Sequence, residues 1–270
     1  MHLSARVGAC LLLIVLLADA HSAASSRKQV RVLLVGDSTM ARTTGYGDAL
    51  CRRFDATVIC ENRARGGRSS KSYRAEGLWD DVMTRLHAPE VRKTYVLIEF
   101  GHNDQHSTTL PEFSANLRRY VEEVRDAGAI PVLVTPLTRR AFKQGKLVDG
   151  LAPWADATTR VARTMHIALL DLHADSVRAV VALGAEKSLA LAEIAAPENV
   201  IFAARSGTTI EGPRVSPRSG TPGDHVPAFD YTHLGMQGAA LFADIAAREI
   251  RERVGELGRH LHPASGSVFD

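Results

Sequence analysis

Neither sign of charge prevails along this chain: 33 Lys and Arg stand against 30 Asp and Glu, a formal net charge of +3 in 270 residues. So small an imbalance excludes the broad positive face by which a protein grips nucleic acid. Long hydrophobic runs are lacking too. The longest, residues 7–18, is about twelve residues where a membrane-spanning helix needs roughly twenty, which excludes a transmembrane segment. That run instead follows Arg6 and precedes Ala18-Asp19-Ala20, the small-x-small pattern of a signal-peptidase site. Residues 1–20 therefore read as a signal peptide, with a mature chain beginning near His21 and a secreted or periplasmic destination. Their removal takes away one cation, Arg6, and one anion, Asp19, so the net charge stays at +3. Cysteine is scarce, at three residues. Cys10 lies inside the signal and is followed by more leucines, which argues against a lipid-anchor cysteine. Cys51 and Cys60 remain, nine positions apart, and either pair with each other in an oxidising compartment or lie buried as separate thiols. No internal repeat appears.

What is present is an ordinary globular composition, 45% hydrophobic and 23% charged, in a length that suits one α/β domain. The domain is expected over residues 21–257, with 258–270 as a frayed, flexible tail. Five strand-like runs recur, at 30–35, 57–60, 95–100, 130–135 and 167–171, and helical patterns lie between them. Residues 111–126 place Phe113, Leu117, Tyr120, Val121 and Val124 on one face, with Pro111 at the start and Gly128 just past the end. Residues 153–165 and 235–254 read as two further helices. Strands alternating with helices imply right-handed βαβ crossovers, hence a three-layer α/β/α sandwich around a five-stranded parallel sheet. Residues 136–151 and the Gly/Pro/Ser-rich passage 195–229 lack periodicity. A loop as long as the second is either a functional lid or a weakly ordered insertion.

Each polar cluster falls just after a strand: Gly36-Asp37-Ser38, then the run 62–72 (NRARGGRSSKS), then Gly101-His102-Asn103-Asp104. In an open parallel sheet these converge at one end, where such folds bind ligands. A fourth cluster, Asp230-Tyr231-Thr232-His233, precedes the last helix. Together they compose a hydrolytic site. Ser38 is a candidate nucleophile, His233 the base that takes its proton, and Asp230 the group that holds the other ring nitrogen. The backbone N–H groups of Ser38 and Gly67 and the Asn103 amide are candidate donors to the oxyanion. Singly, each has a plainer role: Gly-Asp-Ser as a turn, the glycines as positive-φ hinges, Asn103 and Asp104 as caps of a turn, Asp230 or Thr232 as a helix cap. No G-x-S-x-G elbow surrounds Ser38, and acid and base sit on one turn, which separates the pattern from the α/β-hydrolases.

In this order, GDS, a glycine in the loop after the second strand, GxND as Gly101 to Asp104, and DxxH as Asp230 to His233 resemble the four blocks of the SGNH (GDSL-type) hydrolases. GDSTMA, the GGRSS loop, EFGHND and DYTHL are most similar to rhamnogalacturonan acetylesterases and related bacterial carbohydrate esterases. The resemblance runs from about residue 30 to 250. It implies a flavodoxin-like sheet, a Ser38, Asp230 and His233 triad, an oxyanion hole from Ser38, Gly67 and Asn103, and no metal or other cofactor. The expected reaction is removal of O-acetyl groups from an acidic polysaccharide such as pectin or rhamnogalacturonan through an acetyl-serine intermediate.

One feature bears on the substrate. Arg63, Arg65, Arg68, Lys71 and Arg74 crowd the loop that carries Gly67, and Arg42 follows the nucleophile. Either this is an ordinary solvated basic loop, or Arg65, Arg68 and Lys71, with His102, bind the substrate, the cations holding uronate carboxylates. Three rival readings remain. A broad-specificity esterase or lipase shares the same motifs, which specify acyl transfer and not acyl length. A metal-dependent phosphoesterase would recruit Asp37, His102, Asp104, His106, Asp230 and His233 as ligands, but no upstream Asp-x-His accompanies them. A non-catalytic glycan-binding module would need neither nucleophile nor base.

Overall fold

The computed structural model describes residues 30–88, 91–212 and 228–263. The expected signal segment with Cys10, the middle of the Gly/Pro-rich passage (213–227) and the end of the expected tail (264–270) lie outside them. The chain runs β1 (Val30–Gly36), α1 (Gly47–Cys51), β2 (Val58–Asn62), α2 (Ser72–Ala75), α3 (Leu78–Leu86), β3 (Lys93–Glu99), α4 (Asp104–Ser107), α5 (Leu110–Asp126) and β4 (Ile130–Val134). It continues through a short hairpin, β5 (Phe142–Lys143) and β6 (Lys146–Leu147), then α6 (Ala152–Thr164), β7 (Ala168–Leu170), α7 (Leu172–Lys187), α8 (Glu198–Arg205), α9 (Met236–Arg253) and α10 (Gly255–Gly258). Five strands form one all-parallel sheet in the order β2-β1-β3-β4-β7.

The near-continuous aliphatic strands are explained by burial on both faces. Alternate residues of β1 enter opposite cores: Val32 and Leu34 pack with Leu97, Val134, Phe242 and Ile250, while Leu33 and Val35 pack with Ile98, Leu133, Phe113 and Leu117. The first core carries α1, α7 and α9, and the second carries α3, α5 and α6, so the three layers are as expected. α5 begins on a capping box in which Thr109 accepts from the Glu112 N–H and Glu112 accepts from that of Thr109. Gly128, at φ 74°, takes the left-handed conformation just past its end.

Two boundaries differ from the sequence reading. The chain does not fray at Gly258: Leu261 is buried and bridges Phe54, the Asp55 N–H donates to the His260 carbonyl and the His262 N–H to that of Arg53. A single apolar side chain inside a polar stretch thus docks the described part of the tail. The passage from residue 195 is likewise not a loop from its start. It forms α8, and the following Thr209 exchanges hydrogen bonds with Phe142 at the hairpin. α7 went unread because it has no clean apolar stripe and breaks at Gly184, φ 71°.

Cys51 at the end of α1 and Cys60 in β2 form a disulfide, Cα atoms 5.3 Å apart, which settles the alternative left open by spacing. The carboxyl ends of β1 and β3 are joined less visibly. Asp37 and Glu99, both fully buried, share the Thr39 hydroxyl, 2.8 Å from Asp37 Oδ1 and 2.9 Å from Glu99 Oε1. Tyr46 donates to the other Glu99 oxygen. A hydroxyl has one proton and cannot donate to both carboxylates. A protonated Glu99 donating to Thr39 resolves the conflict. Burial, and then the charge of Asp37, push the Glu99 carboxyl up to about 8. Burial opposes ionisation of Asp37 as well, but His102 and the Thr39 N–H and hydroxyl together hold it below its ordinary value.

Two outcomes are expected. Between the ordinary glutamate value, about 4.3, and about 8 the folded protein keeps a proton that the unfolded chain has released, so this group's contribution to stability falls as pH rises, by at most about 1.4 kcal/mol per pH unit. Glu99→Gln keeps a donor and an acceptor without a titrating proton. It should flatten the decline in urea-unfolding free energy between pH 6 and 8, and an unchanged slope would place the ionisation elsewhere. Replacing Cys51 and Cys60 by Ser should lower stability by about 2–3 kcal/mol in the same melts, because it frees a short loop in the unfolded chain.

Candidate active site

The three loops whose polar clusters follow strands leave the same end of the parallel sheet. After β1 the chain turns at Gly36, where a Cβ would come within 2.5 Å of the Glu99 carbonyl oxygen, so only glycine fits. Asp37 goes into the protein, onto Thr39 and the His102 N–H at 3.3 Å. Ser38 goes into a cleft of about 740 Å³, and its carbonyl accepts from Thr44 Oγ1 at 2.7 Å. The loop after β2 prolongs the ladder of β1, with the Arg63 and Arg65 N–H groups donating to the Leu34 and Gly36 carbonyls, and arrives at Gly67 with φ 76°. The loop after β3 is tied to it. Asp104 accepts from the Ser70 N–H at 3.0 Å and from its hydroxyl at 2.5 Å, and Asn103 Nδ2 donates to the Arg68 carbonyl at 3.1 Å. An amide nitrogen has two protons, so one remains.

Asp230 and His233 come from the turn before α9. Asp230 Oδ1 accepts from the N–H groups of Thr232 and His233, both at 2.7 Å, and Oδ2 lies 2.5 Å from His233 Nδ1. Burial works against the Asp230 charge, but the hydrogen bonds and charge of His233 outweigh it and hold the carboxyl far below the usual range. A carboxylate on Nδ1 fixes the ring and leaves Nε2 to handle a proton. Ser38, Gly67, Asn103 and His233 all line the one cleft, with Asp230 behind the histidine. The structure thus gathers Ser38, Gly67, Asn103 and the Asp230–His233 pair at one cleft.

The substrate-binding expectation is corrected in two places. His102 is buried against Asp37, its Nδ1 3.8 Å from Asp37 Oδ2, and does not line the cleft. Its position next to a strand end turned the ring inward. Lys71 faces a separate surface hollow with Arg74 and Arg119, because α2 begins immediately after it and carries it away. Arg74 is engaged by Glu123 at 2.7 Å and lies over the Trp79 and Tyr120 rings. The cleft keeps Arg42, Arg63, Arg65 and Arg68, against one acidic lining residue, Asp81. Arg63 pairs with Glu61 at 2.6 Å and Arg68 with Glu76 at 2.8 Å, while Arg42 stands 3.7 Å from Asp48. Arg65 has no carboxylate partner among the described residues, and its backbone is pinned to β1.

The six groups weighed as metal ligands do not gather. Asp104 is turned to Ser70 and Asp230 to His233, so the phosphoesterase constellation falls apart. Among the described residues, Asp37, Glu99 and His102 do place ligand atoms within 4.8 Å of one another, but all four of those carboxyl oxygens are already engaged in hydrogen bonds with Thr39, Tyr46 or the His102 N–H. Sequence reasoning missed Glu99 and Arg140. Glu99 ends β3 as a single polar residue with its partners distant in the chain, and Arg140 stands six residues past the end of β4, so neither carries a local signature.

With this geometry in hand, comparison with known proteins is informative. The GDSL-like lipase/acylhydrolase family matches residues 34–241. Rhamnogalacturonan acetylesterase RhgT of Bacillus subtilis (strain 168) is 32% identical over 173 residues, 60% of this chain and 73% of the relative. The crystal structure of YxiM from Bacillus subtilis superposes with a TM-score of 0.60 at 20% identity, over 83% of this chain and 56% of that one. A catalytic mutant of Axe2, an acetylxylan esterase from Geobacillus stearothermophilus, gives 0.53 at 15% identity, over 82% and 93%. The two structures establish the likeness of fold. With its four motif blocks on one sheet edge and most of its length matched, the chain belongs to the GDSL-like lipase/acylhydrolase family, the SGNH hydrolases.

Proposed function

We propose that this protein is a serine esterase that removes O-acetyl groups from a carbohydrate, and that its substrate is an acidic, uronate-containing polysaccharide of the rhamnogalacturonan kind. The observation that carries the reading is the cleft itself. It presents Ser38, a carboxylate-held His233 and the Gly67 and Asn103 donors beside four arginines. The names of the relatives support the same chemistry, since the RhgT protein is called a rhamnogalacturonan acetylesterase and Axe2 an acetylxylan esterase.

In this mechanism Ser38 Oγ attacks the acetyl carbonyl while His233 Nε2 takes its proton. The negative charge that develops on the carbonyl oxygen meets the Ser38 and Gly67 N–H groups and the Asn103 amide. One such donor is worth about 3 kcal/mol of barrier. His233 then gives the proton to the departing sugar hydroxyl, and water, activated in the same way, releases acetate from Ser38. Asp230 stays ionised throughout, so the imidazolium formed at each step has its counter-charge 2.5 Å away. Arg65 is the arginine best placed to hold a uronate carboxylate, being anchored through its backbone and not engaged by an acid among the described residues. Export of the enzyme belongs to the same proposal, supported by the signal-like first twenty residues and by the Cys51–Cys60 disulfide.

Two experiments test this. Acetate release from acetylated pectin, acetylated xylan and a simple aryl acetate should fall at least about 10,000-fold in Ser38→Ala on every substrate; turnover that survived would remove the nucleophile and the mechanism with it. Arg65→Ala should lose about tenfold or more in kcat/KM on the acetylated pectin while changing the aryl acetate less than about twofold, as loss of one charged hydrogen-bonded pair implies. Equal losses on both, or none, would strip Arg65 of a role in recognising the acidic polymer.

A further inference from the structure

The turn that carries Asp230 and His233 belongs to no helix or strand, yet the chemistry needs it rigid. Its N–H groups are satisfied from one side, Asp230 Oδ1 accepting those of Thr232 and His233. Its carbonyls are gathered from the other by one residue, the Glu193 N–H adding a second bond to that of His233. Arg140, 1% exposed, donates from Nη2 to the Asp230 carbonyl at 3.1 Å and to the His233 carbonyl at 2.9 Å, and from Nη1 to that of Thr232 at 3.3 Å. Its own N–H reaches the remaining carbonyl of the turn, that of Tyr231, at 2.9 Å. One residue therefore gathers all four carbonyls of the block.

The cation is an expensive way to fill that space. It forms no hydrogen bond to a carboxylate among the described residues, and its Nε has no partner. Buried charges held only by neutral groups contribute little net stability, since desolvation offsets what the hydrogen bonds give. Burial lowers Arg140 to about 10, with the Asp230 charge opposing, which leaves it charged at neutral pH. What a planar guanidinium supplies, and an apolar side chain or a lysine does not, is a fixed fork that spans several acceptors at once.

We propose that Arg140 is a positioning residue for the reaction: its guanidinium locks the Asp230–His233 turn so that the imidazole is held at the bearing Ser38 requires. The proposal rests on the reading of His233 as the base. It assigns a function to the segment after β4, which otherwise joins the sheet to the β5–β6 hairpin. A catalytic group must be held to within about half an ångström, so loosening this clamp should cost turnover without touching substrate contacts.

The test uses Arg140→Gln, Arg140→Lys, His233→Ala and the double variant Arg140→Gln/His233→Ala on an aryl acetate, with melting curves for each. For Arg140→Gln we expect kcat to fall about 100-fold, within the range a general base supplies, with KM changed less than about threefold. Arg140→Lys should recover part of the loss. In the double variant the two losses should fall well short of multiplying, because a misplaced base no longer matters once the base is gone. Fully multiplying losses, a change confined to KM, or failure of both Arg140 variants to fold would overturn the proposal, the last by making the clamp a folding requirement. Near-normal activity in His233→Ala would instead overturn the underlying assignment of the base, whatever Arg140 does.

Discussion

A proton held by Glu99, which donates to Thr39 as Thr39 donates to Asp37, holds the end of the sheet together. β1 and β3 are the central strands, and each delivers a carboxyl group to the same buried spot. Two ionised carboxylates a few ångströms apart in a region without water would repel strongly, so the arrangement stands only with Glu99 protonated, Asp37 ionised and the threonine hydroxyl between them. That lock turns Asp37 inward at the very residue before Ser38. The chain turns there, with the Met40 N–H donating to the Asp37 carbonyl, and Ser38 lines the cleft. The first motif block thus has two duties, of which the nucleophile is only the visible one.

Much of this was legible in the amino-acid order. Strands such as 95–100, aliphatic on both faces, and a helix as regular as 111–126 declare themselves through period and caps. The four polar blocks identify the site because each comes at the end of a strand or the start of a helix. What escaped were features without a local signature. Leu261 looks like any residue in a polar tail until Phe54 is beside it. Glu99 reads as one polar residue ending a strand, and its partners Tyr46 and Thr39 are distant in the chain. Arg140 lies in an aperiodic stretch, and its meaning depends wholly on carbonyls from some ninety positions later.

The basic loop shows why composition alone could not name the binding residues. Arg63, Arg65, Arg68, Lys71 and Arg74 are chemically alike and closely spaced, yet the fold sorts them. Arg63, Arg68 and Arg74 are engaged by Glu61, Glu76 and Glu123, and Lys71 is carried to another surface by the start of α2. Arg65 differs in having its main chain fixed to β1 while its side chain has no acid to satisfy among the described residues. The carboxylates that neutralise its neighbours come from a strand, a turn and a helix, so the distinction is a property of the tertiary structure.

The proposed nucleophile, Ser38, follows the first strand, while the proposed base, His233, arrives just before α9, with most of the chain between them. Contacts of such long range form late, since loop-closure entropy must be overcome before they repay it. A growing polypeptide on the ribosome therefore exposes a serine long before any imidazole exists to activate it. Any product of interrupted synthesis or of cleavage that lacks the Asp230–His233 turn therefore lacks the base of the proposed reaction.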